Sequence, residues 1–83
     1  MPVQRVALSE LSQSEQTLYA GFSYTSHIFT DDADLRAVVI DGQRLQAGDA
    51  FKGLKVVEIT ETGVVFAESR RGKMRHVVVN PFE

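Results

Sequence analysis

The sequence feature that most constrains the fold is the pair Asp41-Gly42, which separates two short segments with strand-forming residues. A two-residue hairpin turn of type I′ requires positive φ at both central positions. Aspartate tolerates this conformation, and glycine adopts it without a Cβ penalty. The segment 35–40 before the pair is almost entirely apolar after its arginine, and the segment 43–46 after it is a short return. We therefore predict a β-hairpin over residues 35–46, on which the rest of the chain packs.

Length and composition indicate one small domain. The 83 residues have a hydrophobic share of 43%, a charged share of 24% and a net charge of −2, which is ordinary for a globular chain and argues against a general polyanion binder. There are no cysteines, which excludes a disulfide framework, a thiolate metal site and a cysteine nucleophile. No segment reaches the roughly 18 apolar residues of a membrane span, and no signal-peptide pattern is present. A domain excised from a larger secreted or anchored protein would have the same features.

A short helix is predicted near the start of the chain. Ser12 and Glu15 match a capping box, in which the serine accepts a first-turn amide and the glutamate reaches back to the cap. We expect a helix over residues 12–19, with Leu11 and Leu18 facing inward. Two helical turns are not stable alone, so this helix must pack on another element.

The rest of the sequence predicts a mainly β domain. Period-two alternation and short turn segments predict about six antiparallel strands, over residues 22–30, 35–40, 43–46, 54–60, 64–68 and 73–79. Sequential hairpins of this kind close into a compact roll or two small stacked sheets. The division that follows is a flexible segment over residues 1–11 and one β-rich domain over residues 12–83. Residues 48–53 are expected to form a loop with Phe51 turned inward. The side chains expected to be largely buried are Val39, Leu45, Val57, Ile59, Val65 and Val77.

Neither catalysis nor a metal or cofactor site is predicted. His27 and His76 lie on different predicted strands without a third ligand at metal-binding spacing, so we expect structural or exposed histidines. Asp31, Asp32 and Asp34 lack the glycine and glutamate that a calcium loop requires, so a solvated turn is favoured. The serines lie in no Gly-x-Ser-x-Gly elbow, and no glycine-rich segment has phosphate-binding spacing.

A basic hairpin near the C-terminus allows two interpretations. Its cations could contact phosphates beside aromatic side chains such as Tyr24 or Phe29, as in oligonucleotide-binding barrels. They could instead keep a solvated turn from aggregating, and the net charge of −2 favours this second interpretation. A small nucleic-acid-binding β-barrel therefore remains the alternative function. The cations of this hairpin are Arg70, Arg71, Lys73 and Arg75.

Three motifs together resemble one known family. Residues 26–30 read Ser-His-Ile-Phe-Thr, where the family has a Ser-Gly-His-aliphatic-aromatic-Ser strand. Residues 36–49 are close to its pattern Arg-x-Val-x-Ile-Asn-Gly-x-x-Leu-x-x-Gly-Asp. Residues 53–66 fit its pattern Gly-Leu-x-Leu-x-x-Ile-Thr-x-x-Gly-Val-x-Leu. On these motifs the chain resembles the C-terminal domain of general secretion pathway protein B, an accessory protein of bacterial type II secretion systems.

The resemblance implies a function in secretion without catalysis. It implies a homology-region-like periplasmic domain whose full-length parent is anchored in the bacterial inner membrane. The expected partner is the N-terminal periplasmic domain of the secretin, whose assembly or anchoring the domain would assist. Other inner-membrane components of the secretion system are further expected partners, and nucleic acid is not.

Two predicted strands are candidates for an unpaired edge that binds this partner. The strand 22–30 has no proline, no lysine and no internal charge at neutral pH, so it lacks the usual devices that block an edge. The strand 73–79 has Lys73 and Arg75, which do block one. We therefore predict that the secretin domain adds a strand along residues 22–30, unless the helix covers this strand or it is paired on both sides. The predicted contact residues are Phe22, Ser23, Tyr24, Thr25, Ser26, His27, Ile28 and Phe29.

Overall fold

The described chain consists of two small β-sheets and one helix. A computed structural model describes residues 4–70 and 72–82. Its elements are β1 (Gln4–Ala7), α1 (Gln13–Ala20), β2 (Tyr24–Ile28), β3 (Ala37–Ile40), β4 (Gln43–Leu45), β5 (Ala50–Phe51), β6 (Leu54–Ile59), β7 (Val64–Arg70) and β8 (Lys73–Val79), with 3₁₀ turns at Leu8–Glu10 and Ala33–Leu35. One sheet has the order β1-β8-β7-β6-β5 and the other the order β2-β3-β4. The predicted fold class is confirmed: a mainly β domain with two small sheets and one short N-terminal helix.

Strand β1 was not predicted. It pairs in parallel with β8, where Val6 lies opposite Val77, and the Val6 side chain is buried. The predicted flexible segment 1–11 therefore includes a paired strand in its described part, while residues 1–3 lie outside the described residues. A parallel pair needs a crossover connection rather than a turn, so no local sequence signal marks it.

The predicted hairpin is confirmed. Asp41 has φ 51° and Gly42 has φ 81°, and Ile40 pairs with Gln43 across the turn. Positive φ at both positions is the signature of a type I′ turn. A second turn of the same kind joins β5 to β6 through Lys52 (φ 48°) and Gly53 (φ 81°), inside the segment predicted as a loop.

Helix α1 is present, but it buries a different side chain than expected. Ser12 Oγ accepts the Glu15 N–H at 3.4 Å and donates to Glu15 Oε1 at 2.8 Å, which confirms the predicted cap. Leu11 is buried, but Leu18 is 53% exposed, so the prediction that Leu18 faces inward was wrong. The buried residue of the helix is Tyr19, because its ring packs on the ring of Phe66 with 5.6 Å between the two centroids.

Both sheets and the helix share one hydrophobic core. Phe51 belongs to it, as expected for the aromatic side chain between the two glycine turns. Leu45, Ile59, Val65 and Val77 are buried as predicted. The residues of the core cluster are Val6, Leu11, Tyr19, Phe22, Val38, Ile40, Leu45, Phe51, Leu54, Val56, Ile59, Val64, Phe66, Val77 and Val79.

Two predicted core residues, Val39 and Val57, are only half-buried. Val57 is the extra residue of a β-bulge between Val56 and Glu58, which shifts the register of β6 against β7. A bulge reverses the alternation, so Val56 and Ile59 face the core although they are three residues apart. Val39 lies opposite the exposed Arg44 on the outer face of its sheet. The assumption of unbroken alternation was therefore wrong at Val57, and the wrong face of β3 was chosen at Val39.

Candidate functional site

Strand β2 is an edge of the three-stranded sheet. It pairs with β3 on one side, and no strand of the described residues pairs with its other side. The other candidate edge, residues 73–79, is not an edge, because β8 lies between β1 and β7. Of the two edges that the sequence offered, only the first is open.

The antiparallel ladder indicates which peptide groups of β2 face the open edge. In a two-residue hairpin the closing pair exchanges both hydrogen bonds, so the peptide groups of Ile40 point toward β4. Tyr24 lies opposite Ile40 on the other side, and its own peptide groups therefore point away from β3. The same holds for His27, which lies opposite Val38. Val38 is two residues before Ile40 on β3, so its peptide groups also point toward β4 and those of His27 point away from β3. Tyr24 and His27 thus offer backbone donors and acceptors to an added strand.

A β-bulge at Thr25 decides which side chains of β2 face outward. The register shifts between Tyr24 and Ser26, so Thr25 is the extra residue. Tyr24 and His27 therefore share the inner face, where both are half-buried, while Thr25, Ser26 and Ile28 are exposed. Unbroken period-two alternation from Phe22 would have placed Ser26 and Ile28 on the face of Tyr24, and the bulge moves them to the opposite face.

Two inward side chains hold β2 against the rest of the domain. The Tyr24 hydroxyl donates to the Tyr19 carbonyl oxygen at 2.9 Å. His27 Nε2 lies 2.7 Å from the Thr60 carbonyl oxygen, and its ring stacks on Phe82 at 4.8 Å between centroids. Burial raises the pKa of Tyr24 well above its ordinary value, and the nearby Asp41 carboxylate adds to this effect. These contacts lie on the inner face of β2 and hold the strand in place, so the two side chains are not available to a partner at the open edge.

The start of β2 is fixed by the side chain of the turn residue Asp41. Its Oδ1 accepts the Ser23 N–H at 2.8 Å, and its Oδ2 accepts from Lys52 Nζ at 2.8 Å. The Lys52 hydrogen bond, followed by the Ser23 N–H, lowers the pKa of Asp41 below its ordinary value. One aspartate therefore forms the β3–β4 turn and also positions the chain that enters β2.

Among the predicted contact residues, five are exposed and three are not. Phe22 is 8% exposed and belongs to the core, and Tyr24 and His27 are half-buried as described above. Ile28 and Phe29 are 44% and 39% exposed, and the Arg36 guanidinium lies 4.3 Å from the Phe29 ring centroid. The exposed members of the predicted set are Ser23, Thr25, Ser26, Ile28 and Phe29.

In the described part of the basic hairpin, Arg75 is paired within the domain. The Arg75 guanidinium contacts the carboxylates of Glu15 and Glu68. Of the two aromatic residues considered with it, Tyr24 lies on β2 in the other sheet and Phe29 directly follows that strand. Arg71 lies outside the described residues. No observation on the described residues therefore favours the nucleic-acid alternative.

Two further features bear on the site. Within the ranges 4–70 and 72–82, no group of three or more His, Asp or Glu side chains is placed to hold a metal ion. No helix in the same ranges has both the length and the apolar character needed to cross a membrane.

Comparison with known proteins identifies similarity to one family. The sequence profile described as Type II secretion system protein B matches residues 21–73, which include β2 to β7. The fold is similar to the crystal structure of Dickeya dadantii GspB from the type 2 secretion system, with a TM-score of 0.58 and 26% sequence identity. That similarity covers 74% of this chain and 69% of the other. No curated protein sequence matches the chain.

Proposed function

The chain belongs to the type II secretion system protein B family, and from this membership we propose that it is a non-catalytic domain that binds the secretin. The partner surface is the N-terminal periplasmic domain of the secretin, and binding assists the assembly or anchoring of that channel. In this proposal the domain lies in the periplasm, and its parent protein is anchored in the inner membrane.

The observation that carries the proposal is the open edge of β2. An unpaired edge exposes a row of backbone donors and acceptors to which another chain can add a strand. Proteins usually block such an edge with proline, lysine or a covering element, yet Tyr24–Ile28 contains neither proline nor lysine. The exposed side chains along it are small or aliphatic, namely Thr25, Ser26 and Ile28.

The expected binding mode is strand addition with two kinds of contact. The peptide groups of Tyr24 and His27 supply backbone hydrogen bonds, and affinity depends mainly on these. The exposed side chains of Thr25, Ser26 and Ile28 then select the register of the added strand. Hydrogen bonds of Asp41, Tyr24 and His27 already hold the edge strand in place, so binding requires little further ordering of the chain.

The test is a proline substitution at a residue whose N–H faces the open edge. His27→Pro removes the outward N–H of His27, and proline is tolerated on an edge strand where its nitrogen faces away from the ladder, while His27→Ala removes the same side chain and keeps the N–H. We expect secretin-domain affinity to be about tenfold or more lower for His27→Pro than for His27→Ala, which corresponds to the loss of roughly one net backbone hydrogen bond. Titration calorimetry with the purified secretin N-terminal domain measures the affinity, and circular dichroism checks the fold.

The matched control is Arg44→Pro on β4, the opposite edge of the same sheet. Arg44 lies opposite Val39, in a pair whose peptide groups face outward, so this proline also removes an outward donor. We expect Arg44→Pro to bind like the unaltered chain. Equal affinity of the His27→Pro and His27→Ala variants would contradict docking on β2, and a selective loss in Arg44→Pro would move the contact to β4.

A further inference from the structure

We propose that the strand which docks on β2 has an aliphatic side chain followed closely by lysine or arginine, and that this basic residue lies against the acidic connection, residues 31–34. This inference rests on the proposed docking along β2 and names the chemistry of the partner there.

The charge around the end of β2 is strongly acidic. From Ile28 through Arg36 the sequence contains three carboxylates and one cation, Arg36 itself. All residues of the acidic connection are exposed. The one cation, Arg36, is occupied locally, since its Nε donates to the Thr30 carbonyl oxygen at 2.7 Å and its guanidinium lies over Phe29. The three carboxylates are those of Asp31, Asp32 and Asp34.

Exposed apolar side chains are concentrated at the same place. Ile28, Phe29 and Leu35 are 44%, 39% and 58% exposed, and only two other large apolar side chains of the described residues are comparably exposed. Ile28 ends β2, and Leu35 ends the 3₁₀ turn that leads into β3. Apolar side chains beside unneutralised carboxylates fit a partner segment that is apolar and basic, because the basic group complements the carboxylates.

The acidic connection is held in a fixed conformation that leaves two carboxylates outward. Asp32 Oδ1 accepts the Asp34 N–H at 3.0 Å, and the Thr30 hydroxyl donates to the Asp32 carbonyl oxygen at 2.9 Å. Gln46 Nε2 donates to the Asp34 carbonyl oxygen at 3.1 Å. The carboxylates of Asp31 and Asp34 take no part in these bonds. They are therefore available to a partner without any change in the fold of the connection.

The position of the connection gives it a defined part in docking. An added strand that pairs along Tyr24–Ile28 has one end beside Ile28, and the acidic connection begins three residues further along the chain. Its apolar side chain at that end can cover Ile28, and the next residues reach the carboxylates of Asp31 and Asp34. Such charge pairs at the rim of an interface act mainly on the association rate and its salt dependence.

The test removes these two charges and keeps the local bonds. The double variant Asp31→Asn with Asp34→Asn retains Asp32, which caps the turn. Stopped-flow association with the secretin N-terminal domain is measured at low and at high salt. We expect association about tenfold slower than that of the unaltered chain at low salt, equal rates at high salt, and little change in dissociation.

The control is the double variant Glu10→Gln with Glu58→Gln, which changes the net charge by the same amount. Neither residue belongs to the three-stranded sheet: Glu10 lies in the 3₁₀ turn after β1, and Glu58 on β6 forms a surface ion pair with Arg5. Its association rate should remain close to that of the unaltered chain. Equal slowing in both double variants would overturn the proposal, because overall charge rather than the acidic connection would then be responsible.

Failure of this inference is distinguishable from failure of the proposed function. If His27→Pro weakens binding more than His27→Ala but the Asp31/Asp34 variant associates like the unaltered chain at every salt concentration, docking on β2 stands and the basic partner residue is overturned. If the unaltered chain does not bind the secretin domain, both are overturned. Sedimentation of the chain alone completes the test: self-association that depends on Asp31 and Asp34 would assign the surface to contact between copies and overturn the inference.

Discussion

The phenol of Tyr19 donates a 2.6 Å hydrogen bond to Oε2 of Glu68, and this contact ties helix α1 to strand β7. The other oxygen of the same carboxylate accepts from Arg75 Nε at 2.7 Å. The Arg75 guanidinium also contacts Glu15 on the helix. We call these four residues the helix anchor. The anchor explains how a helix of eight residues, too short to be stable alone, is held on the sheet.

The helix anchor predicts a loss of stability at high pH. Burial raises the pKa of Tyr19 well above its ordinary value, with the Glu68 hydrogen bond next in importance, and burial likewise raises the pKa of Tyr24. Because both pKa values are raised in the folded state, the stabilisation is complete below the unfolded value of about 10 and is lost as the pH rises above it. These are the two tyrosines of the chain, so ultraviolet absorbance of tyrosinate should change together with unfolding. Tyrosinate formation near pH 10 in a protein that stays folded would contradict this.

Arg75 should be more important for stability than its neighbouring cation. Arg75→Met leaves the partly buried carboxylates of Glu15 and Glu68 without their guanidinium, and we expect a loss of about 1–3 kcal/mol. The matched control is Lys73→Met, an exposed cation at the start of the same strand, for which we expect less than about 0.5 kcal/mol. Urea unfolding measures both. Similar midpoints for the two variants would show that the anchor adds little.

The alternation of β3 predicts different effects at two adjacent valines. Val38 is fully buried, whereas Val39 is half-buried on the outer face of the sheet. Val38→Ala should reduce the free energy of unfolding by about 2 kcal/mol, since two buried methyl groups are lost and a cavity is left. Val39→Ala, the same chemical change, should reduce it by less than about 1 kcal/mol. Chemical denaturation compares the pair, and a larger loss at Val39 would invert the assigned faces.

The hairpin turn should tolerate asparagine better than valine. Gly42 has φ 81°, a conformation that strains β-branched residues, although open space surrounds the position of a Cβ. Gly42→Val should reduce stability by about 1–3 kcal/mol. Gly42→Asn should retain most of it, because asparagine adopts positive φ more readily. Thermal melts test the order, and parent-like stability of the valine variant would rule out the type I′ turn.

Gly63 should not accept any side chain, for a different reason. A Cβ there would overlap the Val79 carbonyl oxygen and come within 2.9 Å of Pro81 Cδ. The obstacle is backbone at the end of β8, which cannot rotate away as a side chain can. We expect Gly63→Ala to reduce stability by more than about 3 kcal/mol or to prevent folding. Denaturant unfolding or the yield of folded protein tests this, and a variant within about 1 kcal/mol of the parent would be inconsistent with it.

The candidate site was partly predictable from the sequence. Residues 24–28 contain no proline, lysine or charge, and this absence identified the open edge. Residues that block an edge lie on the edge strand itself, so their absence can be recognised from the local sequence. The inward roles of Tyr24 and His27 were not predictable. His27 bonds to Thr60, which is 33 residues away, and no local pattern indicates that pairing.

What the sequence by itself determined is the local conformation: the Asp41-Gly42 turn, the Ser12 cap and the run of β8 from Lys73 to Val79. These depend on backbone preferences and on neighbours a few residues apart. The tertiary structure decided the faces and the edges. The bulges at Thr25 and Val57 reverse the alternation, and parallel pairing of β1 removes the C-terminal strand from the edge. The physical reason is that strand register and pairing are set by contacts between distant segments, whereas turns and caps are set by the φ preferences and side-chain hydrogen bonds of adjacent residues.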